Sequence, residues 1–297
     1  DIYDADQAGG WDVFTKTGNN AYACNDTEIY IGDGENITTV SDSACSVNMF
    51  GGSGSYALYV RDNATATFGT LLNADRKSTS DGVTFIIEDW YYLECAEGST
   101  TNFYSCSLTG NQELEADFYG AGNFWNSIFT SGWYTLAFYD TSTYDLFNVY
   151  TSNDPDILWY LEDCSSVTFD TIYAFDSPCL FYIGATTADL TVYNLRAGGA
   201  STVSFDVHPY YDIYLVNPSV DAWTFDIGLG GHEVYRQYTY DLTVAYPNGT
   251  AIQNANVTIT HYGQGTTQDY NGLTDSNGKI PQQTLSKGFY NQTGGDT

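Results

Sequence analysis

One short pattern of apolar and polar positions recurs along the chain: an apolar residue, two small or polar residues, then a second apolar residue. It occurs as ATATFGTLL (64–72), GNFWNSIF (122–129), TYDLFNVY (143–150), SVTFDTIY (166–173) and ADLTVYNL (188–195). Its leading members are Phe68, Trp125, Leu146, Phe169 and Val192, and its second members Leu71, Ile128, Val149, Ile172 and Leu195. The last four leading members are 21, 23 and 23 residues apart. The segment NFYSCSL (102–108) fits as a degraded copy within the longer gap. A second apolar patch precedes most copies: Leu58–Val60, Leu136–Tyr139, Trp159–Leu161 and Phe181–Ile183. Each unit of about 22 residues therefore predicts two or three short strands joined by Gly, Asn, Asp and Ser turns.

That period is too short for a propeller blade or a helical repeat, and the Leu-rich consensus of a leucine-rich repeat is missing. The pattern resembles the right-handed parallel β-helix, whose turns take just over twenty residues. The resemblance implies coils stacked at about 4.8 Å, with like residues piled into interior columns. An ordinary β-sandwich with accidental spacing is the competing reading.

The text changes near Tyr235. Alternating segments (YDLTVAY, NVTITHY) flank turns at Pro247-Asn248-Gly249 and Asp275-Ser276-Asn277-Gly278. From Asp241 to Ile280 this resembles the immunoglobulin-like modules related to the carboxypeptidase regulatory domain. Such a module has about seven strands, and only about four are legible here. The expected fold is all-β: a right-handed parallel β-helix over 56–230, then an antiparallel immunoglobulin-like β-sandwich module over 235–297. Residues 1–55 are expected to form an N-terminal cap or arm.

Composition changes the picture in two ways. The 297 residues hold 37 Asp and Glu against 8 Lys and Arg, a net charge of −29. This argues against nucleic acid and anionic lipid, which require clustered cations. It calls for bound counter-ions, with Ca²⁺ the expected species. The 27 Tyr, 16 Phe and 6 Trp exceed what a narrow solenoid interior can hold, so strings such as Trp90-Tyr91-Tyr92, Trp133-Tyr134 and Tyr210-Tyr211 should serve subunit contacts or sugar stacking.

The six cysteines form three local couples without a CxxC spacing. Sequential pairing predicts Cys24–Cys45, Cys95–Cys106 and Cys164–Cys179, one of fifteen connectivities. Six sequons, at Asn25, Asn36, Asn63, Asn248, Asn256 and Asn291, add a second export signal. No apolar run reaches the ~18 residues of a membrane span. The start at Asp1 without Met reads as a mature secreted chain whose signal peptide has been removed.

Chemistry is sparse. Arg61, Arg76, Lys77 and Arg196 do not cluster as a polysaccharide lyase base would. Gly230-Gly231-His232-Glu233 lacks the paired Asp of the hydrolases that share this fold. His208, His232 and His261 have no metal spacing. Candidate cation ligands are Asp33 and Glu35, in a turn, and Asp145 and Asp170, which with Asp189 fall near one phase of successive coils. Turn-forming, solvating Asp is the plainer account.

A β-helix followed by an immunoglobulin-like module, acidic and rich in sequons, resembles archaeal surface-layer and sheath proteins, those of methanogens in particular. The resemblance implies a non-enzymatic structural subunit of an extracellular assembly that associates with itself. A carbohydrate-binding adhesin or tail-fibre-like protein is the first alternative, with glycans as partner. A polysaccharide-degrading enzyme is the second.

Overall fold

The computed structural model describes residues 15–18, 21–25, 29–31, 36–39, 45–50, 56–61, 63–68, 83–88, 90–110, 113–130, 133–140, 142–152, 156–164, 167–175, 178–186, 189–198, 203–207, 211–220, 223–227, 233–260, 268–291 and 294–295. Every element among them is a strand, and the architecture is a parallel β-solenoid.

Each turn lays down three strands on three faces. The first face is a nine-stranded parallel sheet running from Ile29–Ile31 to Trp223–Ile227. Its centre consists of Trp90–Cys95, Glu113–Phe118, Trp133–Tyr139, Asp156–Cys164, Cys179–Thr186 and Val203–Val207. Cys95, Phe118, Phe138, Leu161, Ile183 and Val207 align strand to strand, so five turns separate the first from the last. The second face carries the column Phe68, Phe103, Phe124, Leu146, Phe169, Val192 and Leu215. The third face follows a sharp corner. In the longer strands Thr143–Ser152 and Thr168–Phe175, the second and third faces share one continuous strand.

The interior is built from these columns. Phe103 stacks on Phe68 at 5.1 Å and on Phe124 at 4.9 Å, and Phe118 on Phe138 at 5.1 Å. Each buried ring contributes about 1.5–3 kcal/mol through burial, and favourable ring pairs about 0.5–1.5 kcal/mol more. Gly122 sits in the column because Tyr144 of the next turn fills its place. A Cβ there would lie 1.8 Å from the Thr101 carbonyl oxygen and 2.7 Å from Tyr144 Cε1.

The corner between second and third faces is left-handed in every one of these turns. Ser105, Asn126, Asn148, Thr171, Asn194 and Asn217 have φ between 53° and 61°, each one turn from the next. Asn adopts this region more readily than most residues because its short amide can bond locally. Their backbone N–H groups reach the next turn: Ser105 to the Trp125 carbonyl, Asn126 to Phe147, Asn194 to Val216 and Asn217 to Gln237, all at 2.8 Å.

The repeat was legible, but one copy shifts. The structure aligns Phe124 and Ser127, not Trp125 and Ile128, with Leu146 and Val149. Phe124 and Ser127 are buried, whereas Trp125 and Ile128 face outward. A one-residue slip exchanges the two faces of a strand, and the apolar run Phe124-Trp125 allows either phase. The degraded copy at 102–108 is a true one, with Phe103 and Cys106 buried.

Parallel pairing also reaches into the first 55 residues. Ala21–Asn25 pairs with Cys45–Phe50, and Ile29–Ile31 with Tyr56–Val60. At the other end, Gln283–Asn291 runs antiparallel along Val234–Tyr240, the last strand of the second face. Between them Asn256–Thr260 and Gln268–Leu273 form a small two-stranded antiparallel sheet. The Asp275 turn is closed by Asp275 Oδ1, which accepts from the Asn277 N–H at 2.8 Å and the Lys279 N–H at 2.9 Å. Gly278, at φ 73°, lets the Val244 carbonyl approach within 2.3 Å of where a Cβ would stand.

Candidate functional site

The outward positions of the first face define the main feature of the surface. Tyr119, Tyr139, Tyr160 and Tyr182, all half-buried, form a continuous aromatic column across successive turns. Tyr119 and Tyr139 stack at 4.9 Å, and Tyr160 and Tyr182 at 4.8 Å with an interplanar angle of 1°. Two positions back along the strands from Tyr160 and Tyr182, Leu180 is 36% exposed and Leu158 is half-buried in register with it. Trp133, 49% exposed, stands at the opposite end of its strand from Tyr139, in register with Glu113 and Asp156. The strand alternation causes this grouping: every second residue of Trp133–Tyr139 and Asp156–Cys164 must point away from the core.

Carboxylates edge the apolar patch on both sides. Glu94 and Asp117 occupy the outward column before it, and Asp206 and Asp226 the same column after it. Arg61 makes a two-pronged ion pair with Glu94, both contacts at 2.7 Å, and lies over the Tyr59 ring at 4.2 Å. The Tyr92 hydroxyl donates to Asp117 at 2.5 Å. Burial, with the negative charge of Glu94, raises the Asp117 carboxyl above its ordinary range although Tyr92 opposes the shift. Tyr160 donates to Glu162 at 2.6 Å, and that bond together with burial pushes its phenol up to about 12.

The metal candidates do not converge. Asp145 accepts from Trp125 Nε1 at 3.1 Å and Thr168 Oγ1 at 2.7 Å. Asp170 accepts from Thr171 Oγ1 at 2.9 Å and Asn194 Nδ2 at 2.8 Å. Asp145 aligns with Thr168 while Asp170 aligns with Phe147 and Tyr193, so the two lie in different columns. Asp33 and Glu35, like the three histidines, lie outside the described residues. Among the described residues no group of three or more His, Cys, Asp or Glu is placed to hold a metal ion.

Sequence reasoning put Asp189 in phase with Asp145 and Asp170, whereas the structure stacks it with Asp212 and Glu233, which that reasoning missed. Asp189, Asp212 and Glu233 follow one another at the entry to the second face. Asp189 Oδ1 accepts from the Asp212 N–H, and Asp212 Oδ1 from the Glu233 N–H, both at 3.1 Å. These acids tie one turn to the next. The signal was their spacing of 23 and 21 residues, hidden because Asp145 and Asp170 suggested a different phase.

The cysteine expectation is corrected. Cys95, Cys106, Cys164 and Cys179 are buried free thiols. The reason lies in the parallel geometry: on Asp156–Cys164 and Cys179–Thr186, Cys179 pairs with Ile157, whereas Cys164 pairs with Thr186. The two cysteines are thus seven positions out of step, ~23 Å at ~3.3 Å per residue, far beyond the reach of a disulfide. Cys24 likewise pairs with Met49, four positions from Cys45, or ~13 Å along the strand. The Cys106 thiol donates to the Phe68 carbonyl at 3.4 Å and that of Cys164 to the Phe138 carbonyl at 2.8 Å. Burial pushes the Cys164 thiol up to about 11 and that of Cys179 up to about 12.

Of the sequon asparagines, Asn63, Asn248 and Asn256 are exposed, as an attached glycan requires. Nothing is described of the side chains of Asn25, Asn36 and Asn291. Of the aromatic strings, Tyr134 turns inward and donates to the Leu108 and Thr130 carbonyls at 3.1 Å, while Trp133 and Tyr211 face solvent. No helix among the described residues is long and apolar enough to cross a membrane. Comparison with protein-family models, curated proteins and solved structures gave no match for this chain.

Proposed function

We propose that this chain is a non-catalytic structural subunit of an extracellular assembly, a surface layer, sheath or filament, built by lateral contact between solenoids. One observation carries the reading: the first face presents an apolar, aromatic centre (Leu158, Leu180 and the tyrosine column) bordered by carboxylates, with Trp133 exposed further along the same face. An apolar core within a polar rim is the anatomy of a protein interface. The partner is a second copy of the chain, and divalent cations such as Ca²⁺ offset the repulsion of two acidic rims. The tyrosine rings stack mainly on one another, so the column offers edges and hydroxyls, which favours protein contact over sugar stacking.

The antiparallel unit after Asp241 is read as an immunoglobulin-like module. Its Val244, Ile252, Val257 and Ile259 are only half-buried, a fit for a further strand layer supplied by a neighbour. Exposed sequons and the net charge of −29 support a place outside the cell, and the resemblance to archaeal surface-layer proteins is one of architecture.

Sedimentation velocity tests this reading. The chain is expected to form large species with millimolar Ca²⁺ and to return to monomer with EDTA. A Trp133→Ser, Leu180→Ser variant should remain monomeric in both. Association unaffected by that variant would overturn the assigned face. A monomer under all conditions that binds an immobilised glycan would favour the adhesin reading.

A further inference from the structure

Of the stacked pairs of outward tyrosines on neighbouring turns, three have both members within aligned strands, Tyr119 of the fourth pair (Tyr119–Tyr139) lying just past its strand. Tyr150 and Tyr173 are 4.2 Å apart with an interplanar angle of 3°, Tyr160 and Tyr182 4.8 Å apart at 1°, and Tyr214 and Tyr235 5.2 Å apart at 11°. Each pair is held by strand register, since its members are aligned partners in parallel ladders. All six rings are partly open to solvent. We propose that these pairs are sites of oxidative coupling, at which a peroxidase using hydrogen peroxide joins each pair into a dityrosine that staples one turn to the next.

Two features favour the chemistry once an oxidant is present: ring stacking, which all three pairs have, and a carboxylate proton acceptor, which two of them have. One-electron oxidation of a phenol releases its proton, so an acceptor in place eases it. The Tyr160 hydroxyl donates to Glu162 Oε2 at 2.6 Å and the Tyr235 hydroxyl to Glu233 Oε2 at 2.5 Å. The two phenoxyl radicals must then meet before either is quenched, and stacked rings fixed by the backbone provide that encounter. One C–C bond forms between ortho ring carbons, and the two ortho hydrogens move to the oxygens as the rings regain aromaticity. In all, each pair loses two protons and two electrons, and one hydrogen peroxide takes them up to become two waters. The bond lies within one chain, so the proposal stands or falls independently of self-association.

Dilute folded protein treated with peroxidase and hydrogen peroxide, then digested and analysed by mass spectrometry, tests this. Peptides joining Tyr150 to Tyr173, Tyr160 to Tyr182 and Tyr214 to Tyr235, each lighter by two hydrogen atoms, should dominate over links to the exposed Tyr193, Tyr211 and Tyr246. Tyr182→Phe should abolish the Tyr160 link alone. Glu162→Gln should lower its yield several-fold relative to Tyr150–Tyr173, which serves as the internal reference. Links concentrated on the exposed tyrosines, or one pattern in folded and urea-unfolded protein alike, would overturn the proposal. An unchanged yield in Glu162→Gln would overturn the acceptor role.

Discussion

Thr171 is the one β-branched residue in the left-handed corner column, at φ 61° between Asn148 and Asn194. A β-branched side chain is poorly suited to that region. Asn148 Nδ2 donates to Asn126 Oδ1 at 2.7 Å, so an asparagine at 171 would extend the amide ladder. Thr171→Asn is therefore expected to stabilise the chain by about 1 kcal/mol, read as a higher urea midpoint with unchanged slope. The cysteines give a second expectation at this scale. Unfolding without reductant should expose the thiols of Cys95, Cys106, Cys164 and Cys179 to a thiol reagent that does not reach them in the folded chain. Failure of these four to react after unfolding would contradict the free-thiol assignment. Neither feature could be read beforehand: an even number of cysteines invites pairing, and only the strand register shows that partners one turn apart arrive out of step.

At the scale of the strand, apolar spacing made the columns of the second face legible because a solenoid repeats its core residue once per turn. Leu146, Phe169 and Val192 fell where expected, and Trp125 did not, since two adjacent aromatic residues carry no phase of their own. The outward columns were less legible because polar and aromatic residues tolerate either side of a turn. Their electrostatics are testable at Asp117. Its carboxyl is raised above the ordinary 3.8 by burial and by Glu94, so the folded chain holds its proton more tightly than the unfolded one. Its contribution to stability is therefore full below pH 3.8 and is lost as pH rises through the folded value. Asp117→Asn keeps an acceptor for Tyr92 and should be more stable than the parent at pH 7. That advantage should fade as pH falls through the folded value towards 3.8 and be absent below it, as denaturation curves across this range would record. A difference independent of pH would contradict the assignment.

Across the whole molecule, three parallel faces run along one solenoid. The second face is closed at its C-terminal end by Gln283–Asn291, which occupies the edge of Val234–Tyr240. A covered edge resists strand-to-strand growth there, and the exposed apolar side chains of the first face make side-by-side contact the expected mode of assembly. Sequence alone suggested an assembling surface protein from acidity, sequons and aromatic content. It could not locate the contact, because Leu158, Leu180 and the tyrosine column come together only when turns 20 or more residues long are stacked. Electron microscopy of the purified chain with Ca²⁺ is the most direct test of this reading. Ordered sheets or tubes in which solenoids lie side by side, dispersed by EDTA, are expected. Isolated rods under both conditions, or filaments joined end to end, would contradict it.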